Sequence, residues 1–270
     1  ASRFGLFERA VLTRLELYRE ANVPLETEVS KLTNQYDEIM GGLSIEFEGK
    51  SFTPQQIAKL QLETDRNLRE RAWRATVERR LREKTRLDDL YDKQVRLREN
   101  IAANAGFSNY RDYPFRAMLR FDYTPADCDT FAAAVEKVVL PVQKRIQDRR
   151  RAAMKLDALR PWDLAVDPHG RAPLKPFDDV ERLKAGCSAI FHKIEPELGS
   201  QFDRMRELGL LDLDNRHGKA PGGYQSTLTE VRLPFIFMNA VGVDSDLKTL
   251  LQEGGQAFHA FAAAEQPLTE

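Results

Sequence analysis

From Thr53 to about Ala105 the chain is almost uninterrupted helix former, and helical periodicity over that length commits the fold to be mainly α. Leu87, Leu90, Tyr91 and Ile101 mark its apolar face. Thr53 and Pro54 open it, a threonine cap followed by proline at the first helical position. Upstream, Leu6, Val11, Leu15 and Tyr18 recur at helical spacing and predict a helix from Leu6 to Ala21. Pro24 reads as a break, and Leu25–Met40 as a second helix ended by Gly41 and Gly42. The alternating segment LSIEFEGKSF predicts a hairpin turning at Glu48-Gly49-Lys50.

Downstream, NAGFSNYRDYPFRAMLRFDYTPADC is an aromatic break, and Tyr110, Tyr113, Phe115, Phe121 and Tyr123 are expected to form a core cluster. Thr124-Pro125 starts a helix reaching about Leu156. The segment LRPWDLAVDPHGRAPLKPF is too aromatic for a free linker, so Trp162 and Phe177 are expected to pack. Helix resumes from Phe177 to about Leu208. The run Phe235–Met238 then predicts a small sheet or hairpin, and Asp244-Ser245-Asp246 caps a last helix. The expected fold is therefore mainly α with a small β element. Residues 1–105 form an N-terminal helical region with a hairpin, and residues 106–270 a second domain that starts at the Gly106 break.

Hydrophobic residues make up 42% and charged residues 31%, enough apolar material for a core. Lys and Arg number 41 against 42 Asp and Glu, so nothing draws the whole molecule to nucleic acid or anionic lipid. The basic runs RNLRERAWRATVERRLREKTR and KRIQDRRRAAMK are interleaved with acids and read as solvated helix faces. No apolar run is long enough to span a bilayer. Two cysteines, Cys128 and Cys187, form no disulfide framework and read as buried small hydrophobes, which predicts a reducing, cytoplasmic setting. The chain begins without Met, inside a helical pattern and without signal-peptide features, and is expected to be a fragment.

Chemistry concentrates in TLLQEGGQAFHAF, Thr249 to Phe261. On a helix Gln252 and Gln256 share a face, with Glu253 beside them. Histidines at both positions would make the H-E-x-x-H zinc motif, whose Glu deprotonates a metal-bound water. Gly254 and Gly255 cost about 1 kcal/mol each inside a helix, so something should approach the backbone there. Without a metal, Glu253 reads as a partly buried acid with an Arg or Lys partner. His259 reads as a histidine hydrogen-bonded inside the fold. His169, His192 and His217 have no metal-site spacing. Gly222, Gly223 and Tyr224 read either as a plain turn with a packed aromatic or as a peptide contact beside the strand carrying Phe237 and Asn239.

The motif helix resembles that of the thimet oligopeptidase and oligoendopeptidase F family of zinc metallopeptidases, T-L-x-H-E-x-G-H-A-x-H. GKAPGGY (Gly218 to Tyr224) and PFIFMN (Pro234 to Asn239) resemble the segments bordering that family's substrate cleft. RFGLFERAVLTRLELYREANVPL, AGFSNYRDYPFRAMLRFDYTP and LRPWDLAVDPHGRAPLKPF resemble the Pz-peptidases, oligoendopeptidases that cut short collagen-derived peptides. The resemblance implies a partial zincin-type helical fold, Glu253 as the general base, Gln252 and Gln256 at the metal-ligand positions, and Gly222, Gly223, Tyr224, Phe237 and Asn239 against substrate. The sequence departs from the family at three points. Glutamines stand at 252 and 256, and Gln225 stands where relatives often have Cys. The third ligand, a Glu on a later helix, has no counterpart, because Glu265 and Glu270 fall too soon after Gln256. The segment carrying the family's carbonyl-binding His and Tyr is absent too.

Amide oxygen is a poor zinc donor beside imidazole. Without the metal, water keeps a pKa of about 15.7 instead of about 7. The expectation is a catalytically inactive peptidase-fold protein with no cofactor, although the family uses zinc. Short peptides are its expected ligands, and a separate C-terminal portion a further partner. The alternatives are an active oligoendopeptidase represented by an altered or partial copy, and a helical scaffold or partner subunit.

Overall fold

The computed structural model describes residues 4–264. Its elements run α1 (Gly5–Leu17), α2 (Val23–Gly41), β1 (Ile45–Phe47), β2 (Lys50–Phe52), α3 (Pro54–Ala58), α4 (Arg66–Leu81), α5 (Lys84–Asn104), α6 (Asp112–Ala117), α7 (Pro125–Ala134), α8 (Leu140–Ala153), α9 (Val180–Ile194), α10 (Pro196–Glu207), β3 (Leu211–Asp214), β4 (Tyr224–Leu228), β5 (Leu233–Ala240) and α11 (Asp244–Ala263). The fold is mainly α with a small β element, and none of its described helices is long and apolar enough to cross a membrane.

Local chemistry explains most boundaries. Thr53 and Thr124 each cap a helix with proline behind them, in reciprocal boxes with Gln56 and Asp127. Glu48 and Gly49 both take left-handed φ, 50° and 76°, which matches a two-residue hairpin turn with Lys50 already in β2. The Thr53–Ala105 run is less continuous than its composition predicts. Asp65 accepts from the backbone N–H groups of Asn67 and Leu68 and starts α4 afresh, and a turn at Arg82 and Glu83 separates α4 from α5. Pro24 breaks nothing. It sits in the first turn of α2, where its missing N–H costs nothing. Conversely, Pro196 divides the expected Phe177–Leu208 helix into α9 and α10.

The chain divides into two compact units, 4–37 with 82–158 and 38–81 with 159–264. The Gly106 break lies inside the first unit.

In the first unit the buried residues of α1 are Ala10, Thr13 and Leu17, while Leu6, Leu15 and Tyr18 are exposed, so the expected face points to solvent. Tyr91 is likewise exposed, because α5 buries a narrow stripe through Leu90, Gln94 and Ile101. Asn22 is buried, donates to the Ile101 carbonyl at 3.1 Å and accepts from Asn104 at 2.8 Å. The aromatic run is a half-exposed cluster rather than a core: Phe115 packs edge-on to Tyr123, and Arg9 and Arg116 cover Phe121. Cys128 is exposed, contrary to expectation, because α7 buries none of its residues.

In the second unit, β5 is central, parallel to β3 and antiparallel to β4, which leaves β4 at an edge. Leu213, Ile236 and Met238 pack under Leu183, Phe191, Phe202 and Leu250. Cys187 belongs to this core, and burial pushes its thiol up to about 12, so it is an inert hydrophobe. A smaller core joins Ile45, Phe47, Ile57 and Ala72. Trp162 and Phe177 are buried as expected. Beside Trp162, the buried Asp163 accepts from Arg69 Nη2 at 3.1 Å and, through both oxygens, from Arg66 at 2.9 Å. Arg69 is itself 2% exposed. Removing the carboxylate leaves that guanidinium buried and uncompensated. Asp163→Asn should destabilise the protein by roughly 3–5 kcal/mol, read by urea unfolding.

Candidate functional site

Helix α11 has two opposed faces. Glu253, Gly254 and Ala257 are buried, whereas Gln252, Gly255, Gln256 and His259 are exposed. The helix start is fixed by Asp246, whose carboxylate accepts from the N–H groups of Val241, Gly242 and Val243 at 2.8, 2.8 and 3.0 Å. The two glycines have different causes. A Cβ on Gly254 would lie 2.6 Å from Phe191 Cζ, and Phe191 is held between Phe202 and Phe258. A Cβ on Gly255 would meet nothing within 4 Å. The close approach expected at this pair therefore comes from the protein's own core at Gly254, and Gly255 is left open.

His259 lies on the open face, not inside the fold, because it follows Gln252 by about two helical turns. Glu253 is 6% exposed, and its Oε2 has no hydrogen-bond partner among the described residues, so the expected Arg or Lys is not there. Glu265 and Glu270 lie outside the described residues.

The segment before β4 is organised by Lys219, which pattern reading did not single out. Its side chain is buried, and Nζ donates to the carbonyls of Asp212, Asp214 and Met238 and to Asp212 Oδ1, at 2.6–3.0 Å. It also lies 4.4 Å from the Phe237 ring centroid. Burial pulls the Lys219 pKa down against these acceptors. The Arg216 guanidinium, together with Lys219, holds Asp212 down to about 2. The available signal was a lysine alone in a glycine- and proline-rich stretch ahead of a strand.

Beyond Lys219, Asn239 Nδ2 donates to the carbonyls of Ala220 and Gly222, both at 3.0 Å, and Asn215 Nδ2 donates to Asn239 Oδ1 at 3.0 Å. Gly222 has φ 104°, which suits glycine. A Cβ on Gly223 would meet Met238 Cβ at 3.3 Å and Thr249 Cγ2 at 3.5 Å, so this turn lies against α11 one turn before Glu253. Tyr224 is half exposed and stacks on Phe237 across the strand pair, centroids 5.0 Å apart. Side chains alternate along β5, so Ile236 and Met238 take the α11 side of the sheet and the Tyr224–Phe237 stack lies on the opposite face, while Gly223 packs against α11. Asn239 holds the turn rather than facing outward.

Chemically, the open face of α11 offers amide donors and acceptors and one imidazole. No group of three or more His, Cys, Asp or Glu side chains able to hold a metal ion exists among the described residues. Two exposed amides with a lone imidazole are a poor fit to zinc, which is held by Cys, His and carboxylate ligands.

Helix α11 thus packs under a small mixed sheet, with the glycine turn against it. The chain belongs to peptidase family M3, whose model matches residues 59–269. It is similar to Pz peptidase A, solved with an inhibitor, at 28% identity and TM-score 0.92 over 96% of this chain and 46% of that one. It is also similar to a protein assigned as an oligoendopeptidase F, at 27% identity and TM-score 0.93 over 99% and 49% of the two chains. A third similar structure, assigned as an oligoendopeptidase F from Bacillus anthracis str. Ames, shares 25% identity at TM-score 0.92 over 97% and 48%. The chain spans about half the length of these structures. No curated protein sequence matches it significantly.

Gly254→Ala should destabilise by about 1–3 kcal/mol through overpacking on Phe191, while Gly255→Ala should be neutral or stabilise by about 0.5–1 kcal/mol, both read from thermal unfolding. The Asp212 pKa of about 2 lies below its ordinary 3.8, so its pairing stabilises above about pH 4 and fades as the pH falls through 2. Asp212→Asn should cost roughly 2 kcal/mol at pH 7, with the difference from the parent protein closing between pH 4 and 2.

Proposed function

We propose that this chain is a peptidase-fold protein that does not hydrolyse peptides as written and retains binding of short oligopeptides. The observation that carries the first half is the pair of exposed amides, Gln252 and Gln256, at the positions where the family's motif has its metal-binding histidines. Without a bound metal Glu253 has no activated water to deprotonate, and its buried position makes it an idle acid. The second half is supported by the edge strand β4, which offers backbone groups to an extended peptide, and by the Tyr224–Phe237 stack, which offers it an aromatic surface.

We further propose that the protein associates with a separate C-terminal portion. That reading is favoured by the apolar side chains of α7 and α8 left in solvent, Phe131 at 72% and Ile146 at 58% exposure, and by the half-length match to the solved structures. A reducing, cytoplasmic setting suits the free, exposed Cys128.

Metal analysis and a fluorogenic collagen-like peptide test this reading. We expect far less than one zinc per chain and no chelator-sensitive turnover in zinc-supplemented buffer. A stoichiometric zinc with turnover that chelator abolishes would instead establish the active-enzyme reading. Calorimetric titration with the same peptide should show weak binding that Tyr224→Ala reduces by about 1 kcal/mol. Absence of any binding would leave the scaffold reading.

A further inference from the structure

A second concavity in the 38–81 and 159–264 unit carries a different chemistry. It measures about 780 Å³, in the size range of ligand sites, and is walled by β2, the turn after α3, the loop before α9 and the loop between β5 and α11. Phe52, Leu60 and Phe177 give it an apolar floor. Lys50, Lys59, Lys175 and Arg182 reach it from four separate segments. Against these four cations stand two acids, Glu63 and Asp178, and Asp178 lies 3.5 Å from Arg182. None of the three lysines has an ion-pair partner among the described residues. Gly242 keeps one wall low. It has φ 94°, and a Cβ there would lie 3.3 Å from the Phe177 carbonyl oxygen and 3.7 Å from Lys59 Nζ.

Unpaired surface lysines are common in this chain, but here three of them converge on one groove around an apolar floor. We propose that this groove docks a short acidic peptide segment, with the lysines and Arg182 taking its carboxylates and Phe52 and Phe177 taking an apolar side chain between them. A single phosphate suits the site less well. The groove has one arginine, already turned to Asp178, and its lysines act as separate point charges on different elements rather than as one fork. Nucleic acid is disfavoured by the acids in the rim and by the net charge of −1. The proposal does not rest on the reading of the α11 face.

Fluorescence anisotropy with a labelled Glu-Glu-Phe-Glu-Glu peptide, against Gln-Gln-Phe-Gln-Gln, tests it on the whole chain. The acidic peptide should bind and the glutamine peptide should not. Binding should weaken steeply with salt, since screening shortens from about 10 Å at 0.1 M to about 3 Å at 1 M. The double reversal Lys59→Glu/Lys175→Glu, at exposed positions that leave the fold intact by circular dichroism, should weaken it by about tenfold or more. Lys193→Glu, at the far end of α9, should leave it unchanged, as should saturation with the collagen-like peptide. Failure of the acidic peptide to bind, equal binding of the glutamine peptide or indifference to the double reversal overturns the proposal. Full displacement by millimolar inorganic phosphate also overturns it, in favour of a phosphate site.

Discussion

A buried ammonium group organises the three-stranded sheet of this molecule. Lys219 carries its charge into a region from which water is excluded, and such a charge is tolerated only where acceptors surround it. The acceptors come from two strands, the carbonyls of Asp212 and Asp214 on β3, either side of a register shift, and of Met238 on β5. The charge therefore does more than neutralise Asp212. It fixes where the glycine turn leaves the sheet, and so where Gly222, Gly223 and Tyr224 sit relative to α11. Asn239 completes the attachment by holding the turn's own carbonyls from β5.

The sequence makes some of this legible and hides the rest for identifiable reasons. Caps and turns could be read because their chemistry is local: Thr53-Pro54, Thr124-Pro125 and Glu48-Gly49 each act through neighbouring backbone. The motif helix and the β5 strand could be read because the Asp244-Ser245-Asp246 cap starts the one, the apolar run Phe235–Met238 marks the other, and each has a resemblance behind it. Buried faces were read less well. The α1 residues spaced as an apolar stripe are exposed, and the helix buries Ala10, Thr13 and Leu17 instead. Periodicity shows that a face exists, but which residues it covers depends on partners distant in the chain. The Asp163–Arg69 pair is hidden for the same reason, since its members lie 94 residues apart, whereas Lys219 finds its acceptors within 19 residues and is marked only by the stretch it stands in. The four-residue β3 offers too little pattern to be separated from loop.

The glycine pair of α11 shows how adjacent identical residues can have unrelated reasons to be there. Gly254 answers to packing: the Phe191 ring occupies the space of its Cβ, and that ring is fixed by two further aromatics. Gly255 answers to nothing within the described residues. Among the described residues no contact offsets its helical cost.

That division of labour bears on how such a helix can change its chemistry and keep its fold. The residues that bind α11 to the sheet and to α9 are Leu250, Gly254 and Ala257, and they lie on the buried side. Gln252 and Gln256 lie on the other and touch none of the core. An exchange between imidazole and amide at those two positions alters hydrogen-bonding and metal-binding capacity without altering any packed volume. A TM-score of 0.92–0.93 therefore reports the packed side of this helix and not the donor set on its open side. Glu253 is the exception, an acid on the packed side whose Oε2 lacks a partner among the described residues. Burying a carboxylate oxygen without a donor is costly, so this position is not one that packing alone would select.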